Sequence, residues 1–254
     1  MLAREQRIVT TSWDDGHPCD SALAEILTQY GIRATFYVSL SNCEREVMTS
    51  GSLVELSAEF EIGAHTRTHV DLRRLDDKAL YDEVCTAKTE LEILLGKPVR
   101  MFCYPRGKHN KMVRQAVSRA GYIGARTTAA FCTALSWKPF EMPTTFQFFP
   151  HPNWLHLRHE VCTRNMSGVR RAIKTCFGKT WFEIAQRMFD DMIEQGGVWH
   201  LWGHSWEIQE YNLWDDLRRL LEYVDHREGV AYLTNGQLSP TVAESYTTRL
   251  PQMR

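Results

Sequence analysis

Arg7-Ile-Val-Thr-Thr-Ser-Trp13, Asp20 to Tyr30 and Ala34-Thr-Phe-Tyr-Val38 make up the stretch that decides the fold. The first run is rich in β-branched residues and reads as a short strand. The middle run places apolar residues at 22, 23, 26 and 27, a helical spacing, and Gly31 ends it as a C-terminal glycine does. The third run is a second strand. A strand, a helix and a strand in about thirty residues form the unit of a parallel sheet.

The same rhythm runs outward. Ser52 to Ala58 is predicted as a short helix and Glu61 to Ala64 as a strand. Asp76 to Leu95 is the clearest helix: positions 80, 84, 87, 91, 94 and 95 share one apolar face, Asp76 suits the cap, and Gly96-Lys-Pro98 stops it. Val99 to Tyr104 reads as a strand, Asn110 to Ala120 as a helix ended by Gly121, and Tyr122 to Ala125 as a strand. Trp181 to Glu194, Val198 to Trp202, Leu213 to Tyr223 and Val230 to Leu233 then give helix, strand, helix and strand. The expected class is α/β, a distorted (β/α) barrel with about seven parallel strands, forming a single domain over 1–254. An elaborated loop region at about 127–180 interrupts it. The aromatic residues there either offer faces to sugar rings or pack as a local core.

The 254 residues carry 43% hydrophobic and 24% charged side chains, which excludes disorder and coiled coil as descriptions of the whole. Lys plus Arg number 30 against 31 Asp plus Glu, so the net charge is −1 and no basic field exists for nucleic acid or an anionic membrane. No run approaches the ~18 apolar residues of a membrane span. The 7 cysteines form no Cys-x-x-Cys pair, which argues against a disulfide framework or a cysteine zinc cluster. Met1 to Thr10 has charge but no apolar segment, so the expected location is the cytoplasm.

Barrels of this kind place chemistry where strands end. Four clusters stand there. Thr11-Ser-Trp13-Asp14-Asp15-Gly16 sets two carboxylates side by side, tolerable when one meets a cation and the other exchanges protons; an ordinary turn is the alternative. His65-Thr-Arg-Thr-His69 puts two imidazoles at i and i+4, on one face of a helical turn, where both reach one ion; two unrelated histidines are the alternative. Imidazole and carboxylate suit one divalent metal, zinc first, with cobalt, nickel or manganese as alternates. Tyr104-Pro105-Arg106-Gly107 is a turn whose backbone N–H groups can meet an oxyanion, or simply a turn. His204, after Trp202-Gly203, is a candidate general acid, whereas His200 inside the strand reads as a satisfied core histidine. Trp13 and Trp206 are candidate substrate contacts. His151, His156, His159 and Cys162 fit no common zinc spacing and read as loop.

In this order the clusters resemble the polysaccharide deacetylase family (NodB homology, carbohydrate esterase family 4). Thr11-Ser-Trp-Asp-Asp-Gly16 is similar to its T-F-D-D-G motif and His65-Thr-Arg-Thr-His69 to its H-[ST]-x-x-H motif. The resemblance implies a metal-dependent hydrolase of N-acetyl groups on an amino sugar or glycan. It implies Asp14 as base, Asp15, His65 and His69 as metal ligands, and His204 as the acid that protonates the leaving amine. Three positions depart from the pattern. Arg106 stands where the family has the tyrosine whose backbone N–H serves the oxyanion, a role that a backbone donor keeps through a side-chain change. Cys103 stands where the family has the arginine that steadies the base, so that tether is absent or supplied elsewhere. Gly124-Ala-Arg126-Thr-Thr has no aspartate to orient the late histidine, and Glu207 is the open candidate. The rival readings are another carbon–nitrogen amide hydrolase of this fold and a non-catalytic sugar-binding module. A nucleotide-linked, lipid-linked or growing N-acetylated glycan intermediate is the expected substrate, and for a nucleotide sugar Arg67, Arg106 and Lys108 are phosphate-clamp candidates.

Overall fold

The run of β-branched and aromatic residues at the amino end forms β1, Arg7–Asp15, which is buried on both faces along almost its whole length. That is what a central parallel strand requires. The computed structural model describes residues 6–152 and 179–239, together with Val169 and Ile173. Of the histidines and cysteine read as loop, His156, His159 and Cys162 fall outside these residues; His151 Nε2 lies 3.2 Å from the Gln147 amide oxygen.

Successive strands are β2 (Ala34–Val38), β3 (Glu61–Ala64), β4 (Met101–Cys103), β5 (Gly124–Arg126), β6 (Phe146–Gln147), β7 (Gly197–Gly203) and β8 (Val230–Tyr232). The sheet runs β5-β4-β3-β2-β1-β7-β6, and every pairing is parallel. The edge of β1 opposite β7 is shared. Thr11–Asp15 pair with β2, while Arg7–Val9 pair with β8. The expected curled α/β barrel is therefore present.

Residues 139–148 bridge its two ends. Met142 and Thr144 donate to the carbonyls of Ala125 and Ala129, and Thr145 and Phe148 donate to those of His200 and Trp202. Phe131, Phe146 and Phe148 are fully packed and serve as local core, whereas Phe149 is only partly buried, against His151 and Tyr211.

Helices cover the outer face: α1 (Asp20–Gln29), α2 (Ser50–Glu59), α3 (Asp77–Tyr81), α4 (Ala87–Leu95), α5 (Lys111–Arg119), α6 (Trp181–Gln195), α7 (Ser205–Glu210) and α8 (Trp214–Val224). Local chemistry fixes their ends. Asp76 and Asn110 cap α3 and α5 by accepting from Ala79 and Val113, and Thr180 with Glu183 forms a capping box on α6. The predicted helix at 76–95 is interrupted by one π-helical turn, Asp82–Thr86. The short helix α7 had no periodic signal in the sequence.

Strand alternation separates two cores. Val9, Trp13, Phe36, Ile62, Phe102 and Leu201 pack against the helices. Ile8, Tyr37, Met101, Cys103 and Val198 face inward. Polar side chains also fill the barrel interior. Ser12 Oγ lies 2.9 Å from His200 Nε2, and His200 Nδ1 lies 3.2 Å from the Pro143 carbonyl, so His200 is a core histidine as expected. Asn235 fills the fork where β2 and β8 part: its amide accepts from Thr10 Oγ1 and donates to Tyr37 Oη, each at 2.9 Å. Gly63 leaves room for the Tyr37 ring, since a Cβ there would stand 2.5 Å from it.

Candidate active site

A regular strand would send Asp14 and Asp15 to opposite faces. Asp15 instead has φ 82 and Gly16 φ 65, and both carboxylates line one cavity of about 430 Å³ at the carboxyl end of the sheet. Gly16 is required there: a Cβ would stand 2.6 Å from Val38 Cγ1. Thr66, His69 and Arg106 also have left-handed backbones, at φ 67, 58 and 56. Strain of this kind costs ~1–3 kcal/mol per residue and gathers at functional sites.

The two histidines do not share a helical turn, as the spacing had suggested. Residues 65–69 form a loop, held because Thr66 Oγ1 accepts from His69 N at 2.9 Å. Glu83, in the π-helical turn, takes the N–H groups of Arg67 and Thr68 on one oxygen, both at 2.9 Å, and the Thr68 hydroxyl on the other at 2.6 Å. The loop still brings the rings together, with centroids 5.1 Å apart.

Asp15 Oδ1 lies 3.7 Å from His65 Nε2 and 3.3 Å from His69 Nε2. It is buried and has no hydrogen-bond partner. Burial keeps His65 neutral, and its Nδ1 lies 2.9 Å from the Cys103 carbonyl, which leaves the Nε2 lone pair facing the carboxylate. An orphaned carboxylate oxygen facing two imidazole nitrogens fits a divalent cation. Asp14, His65 and Cys103 also bring donor atoms within 4.8 Å of one another. That set fits a cation less well, because Asp14 is already engaged and burial pushes the Cys103 thiol up.

Asp14 Oδ1 accepts from the guanidinium of Arg126, which is wholly buried. Burial alone would raise the Asp14 carboxyl, but Arg126, with His65 and His204, brings it down to about 2. Cys103 and Arg126 are register partners on β4 and β5. The cation missing at Cys103 thus arrives from the adjacent strand. The second missing partner is also supplied: His204 Nδ1 lies 2.8 Å from Glu207 Oε2, one helical turn on. Burial would lower His204, yet the Glu207 contact, with the charges of Asp15 and Asp14, pushes it up to about 9.

In the Tyr104–Gly107 turn, Gly107 and Lys108 donate to the carbonyls of Tyr104 and Pro105. The N–H of Arg106 is not used within the turn, and Arg106 lines the cavity. Tyr104 and Pro105 are buried, with the Tyr104 hydroxyl donating to Phe140 O.

Trp13 is fully buried and packs edge-on against Phe148, so it is a core residue and not a substrate contact. Trp206 is likewise engaged: its indole N–H donates to Asp15 Oδ2 at 2.8 Å, and the Arg45 guanidinium lies 3.8 Å over its ring. The phosphate-clamp cations are each paired within the chain. Arg67 meets Glu90, Arg106 meets Glu44 and Lys108 meets Asp71. Arg126, Glu83, Glu44 and Arg45 had no signal in the sequence, because their partners lie far along the chain. Glu207 did have one, the i, i+3 spacing from His204.

The polysaccharide deacetylase family model matches residues 2–125. A chitin deacetylase of Pestalotiopsis sp is 27% identical over 113 residues, covering 44% of this chain and 38% of that protein. The chain thus spans well under half the length of that relative. Among solved structures, a Mycobacterium smegmatis protein assigned as a polysaccharide deacetylase aligns over 97% of this chain and 94% of its own, with TM-score 0.67 and 15% identity. The chitin deacetylase of Colletotrichum lindemuthianum aligns over 94% and 90%, with TM-score 0.60 and 16% identity. At these identities the structural likeness shows the fold.

Proposed function

We propose that this chain, whose residues 2–125 match the polysaccharide deacetylase family model, removes N-acetyl groups from an amino-sugar or glycan substrate and releases acetate. One divalent cation, zinc, is held by Asp15, His65 and His69. The observation that carries this reading is the buried, unpartnered Asp15 Oδ1 facing two imidazole nitrogens, with Asp14 and His204 along the same cavity.

A cation bound there supplies Lewis acidity and a water of lowered pKa. Asp14, kept ionised and held still by Arg126, takes a proton from the attacking water. The backbone N–H of Arg106 meets the oxyanion that develops on the acetamide, a donor worth roughly 3 kcal/mol. His204, protonated through Glu207, gives its proton to the amine as the carbon–nitrogen bond breaks. General acid–base help of this kind contributes ~10²–10⁴-fold.

The test is acetate release from N-acetylglucosamine oligomers by purified protein, before and after chelation and zinc return. Asp14→Asn should abolish release while zinc still binds. Release that survives exhaustive chelation sinks the metal reading. Sugar binding with no release, in wild type and variant alike, favours the binding module.

A further inference from the structure

The ligands of the candidate cation site are supported from outside every motif. The loop after β2, residues 39–48, is stitched to both motif loops. Ser39 Oγ donates to His65 O at 2.6 Å, Ser41 N to Arg67 O at 3.0 Å, and Met48 N to Gly16 O at 2.8 Å. Two adjacent side chains of this loop then reach past the ligands to what stands behind them.

Glu44 places Oε2 3.5 Å from His69 Nδ1, an atom with no hydrogen-bond partner, while its Oε1 accepts from Arg106. Pinned by Arg106 on one oxygen, this half-exposed carboxylate presents the other to the imidazole. Arg45 lies 3.8 Å over the Trp206 ring and 3.7 Å from Glu210, and Trp206 donates its indole N–H to Asp15 Oδ2. That bond occupies one carboxylate oxygen and leaves Oδ1 aimed at His65 and His69.

We infer that Trp206 and Glu44 are positioning residues of the cation site: Trp206 sets the orientation of Asp15, Glu44 backs His69, and Arg45 holds Trp206 in place. The assignment rests on the reading that Asp15, His65 and His69 hold the cation. Ligands need partners of this kind to fix ring and carboxylate orientation, and losing one typically weakens metal affinity by about 10–100-fold. Trp206→Phe keeps an aromatic ring under Arg45 while removing the N–H donor.

The experiment is zinc titration by calorimetry of metal-free wild type, Trp206→Phe, Glu44→Gln and His65→Ala, with absorption spectra of the cobalt-loaded forms. Trp206→Phe is expected to bind zinc about 10–100-fold more weakly and to give an altered cobalt band. Its acetate release should recover when zinc is added in excess, which loss of a catalytic group would not allow. Glu44→Gln should weaken binding about tenfold. Wild-type affinity in Trp206→Phe overturns the role of Trp206, and wild-type affinity in Glu44→Gln overturns that of Glu44. A wild-type protein that takes up no zinc, or His65→Ala binding as wild type, brings down the underlying cation reading instead.

Discussion

In the proposed reaction, Arg126 is the residue on which the acid–base chemistry turns. It is buried against Asp14, stacks 4.7 Å from the Trp202 ring and 5.4 Å from the Tyr37 ring, and has no access to water. Arg126→Met strands a buried carboxylate, a loss of about 3–5 kcal/mol when one partner of such a pair is removed. Thermal unfolding should register it, and acetate release should fall by at least about a hundredfold. With the guanidinium gone, burial dominates Asp14, so the acid limb of the pH–rate profile should move upward from about 2. At the other limb, His204 keeps its proton in the folded chain up to about 9, against about 6.5 for a free histidine. The charged pair with Glu207 therefore stabilises fully below about 6.5, and that contribution is lost as the pH rises through about 9. Release should fall above the same point. Glu207→Gln should draw the alkaline limb down toward neutrality, and a limb that stays near 9 contradicts the assignment. That Asp14, Asp15, His65, His69 and His204 gather at one cavity was legible because each stands at or just past the carboxyl end of a strand. Arg126 was not: its partner is 112 positions away, and between Ala125 and Thr127 it looks like any strand-end cation.

At the scale of elements, the order of strands and helices was readable because apolar periodicity changes from two to 3.6 along the chain. The two-residue β6 was not, since it makes a strand only by pairing with Leu201 and Trp202. The π-helical turn at Asp82–Thr86 was invisible for a different reason. Apolar positions 80, 84, 87 and 91 tolerate an extra residue in the turn without leaving their face. Its effect is to deliver Glu83 to the histidine loop, and π turns often mark functional sites. Glu83→Ala should cost about 1–3 kcal/mol by leaving the Thr68 N–H and hydroxyl unmet, while the Arg67 N–H keeps the Glu83 carbonyl. It should also weaken zinc binding, since His69 follows directly. Unchanged unfolding and unchanged affinity would show the loop to be held elsewhere.

Across the whole molecule, the proposed cation at Asp15, His65 and His69 would tie the end of β1 to the loop after β3. Chelation should therefore lower stability by about 4 kcal/mol relative to protein in zinc at a thousand times its Kd. A calorimetric scan before and after chelation measures this, and coincident scans contradict it. Among the described residues no helix is long and apolar enough to cross a membrane. The barrel's depth has a further effect. Beneath Asp14 the interior is filled by Arg126, Tyr37 and His200, and its floor is stopped by the Asn235 amide wedged where β2 and β8 diverge. Among the described residues the cavity is closed on this side. In the proposed reaction, acetate formed against that floor would leave toward the mouth the glycan came through, so its departure would wait on the sugar shifting aside.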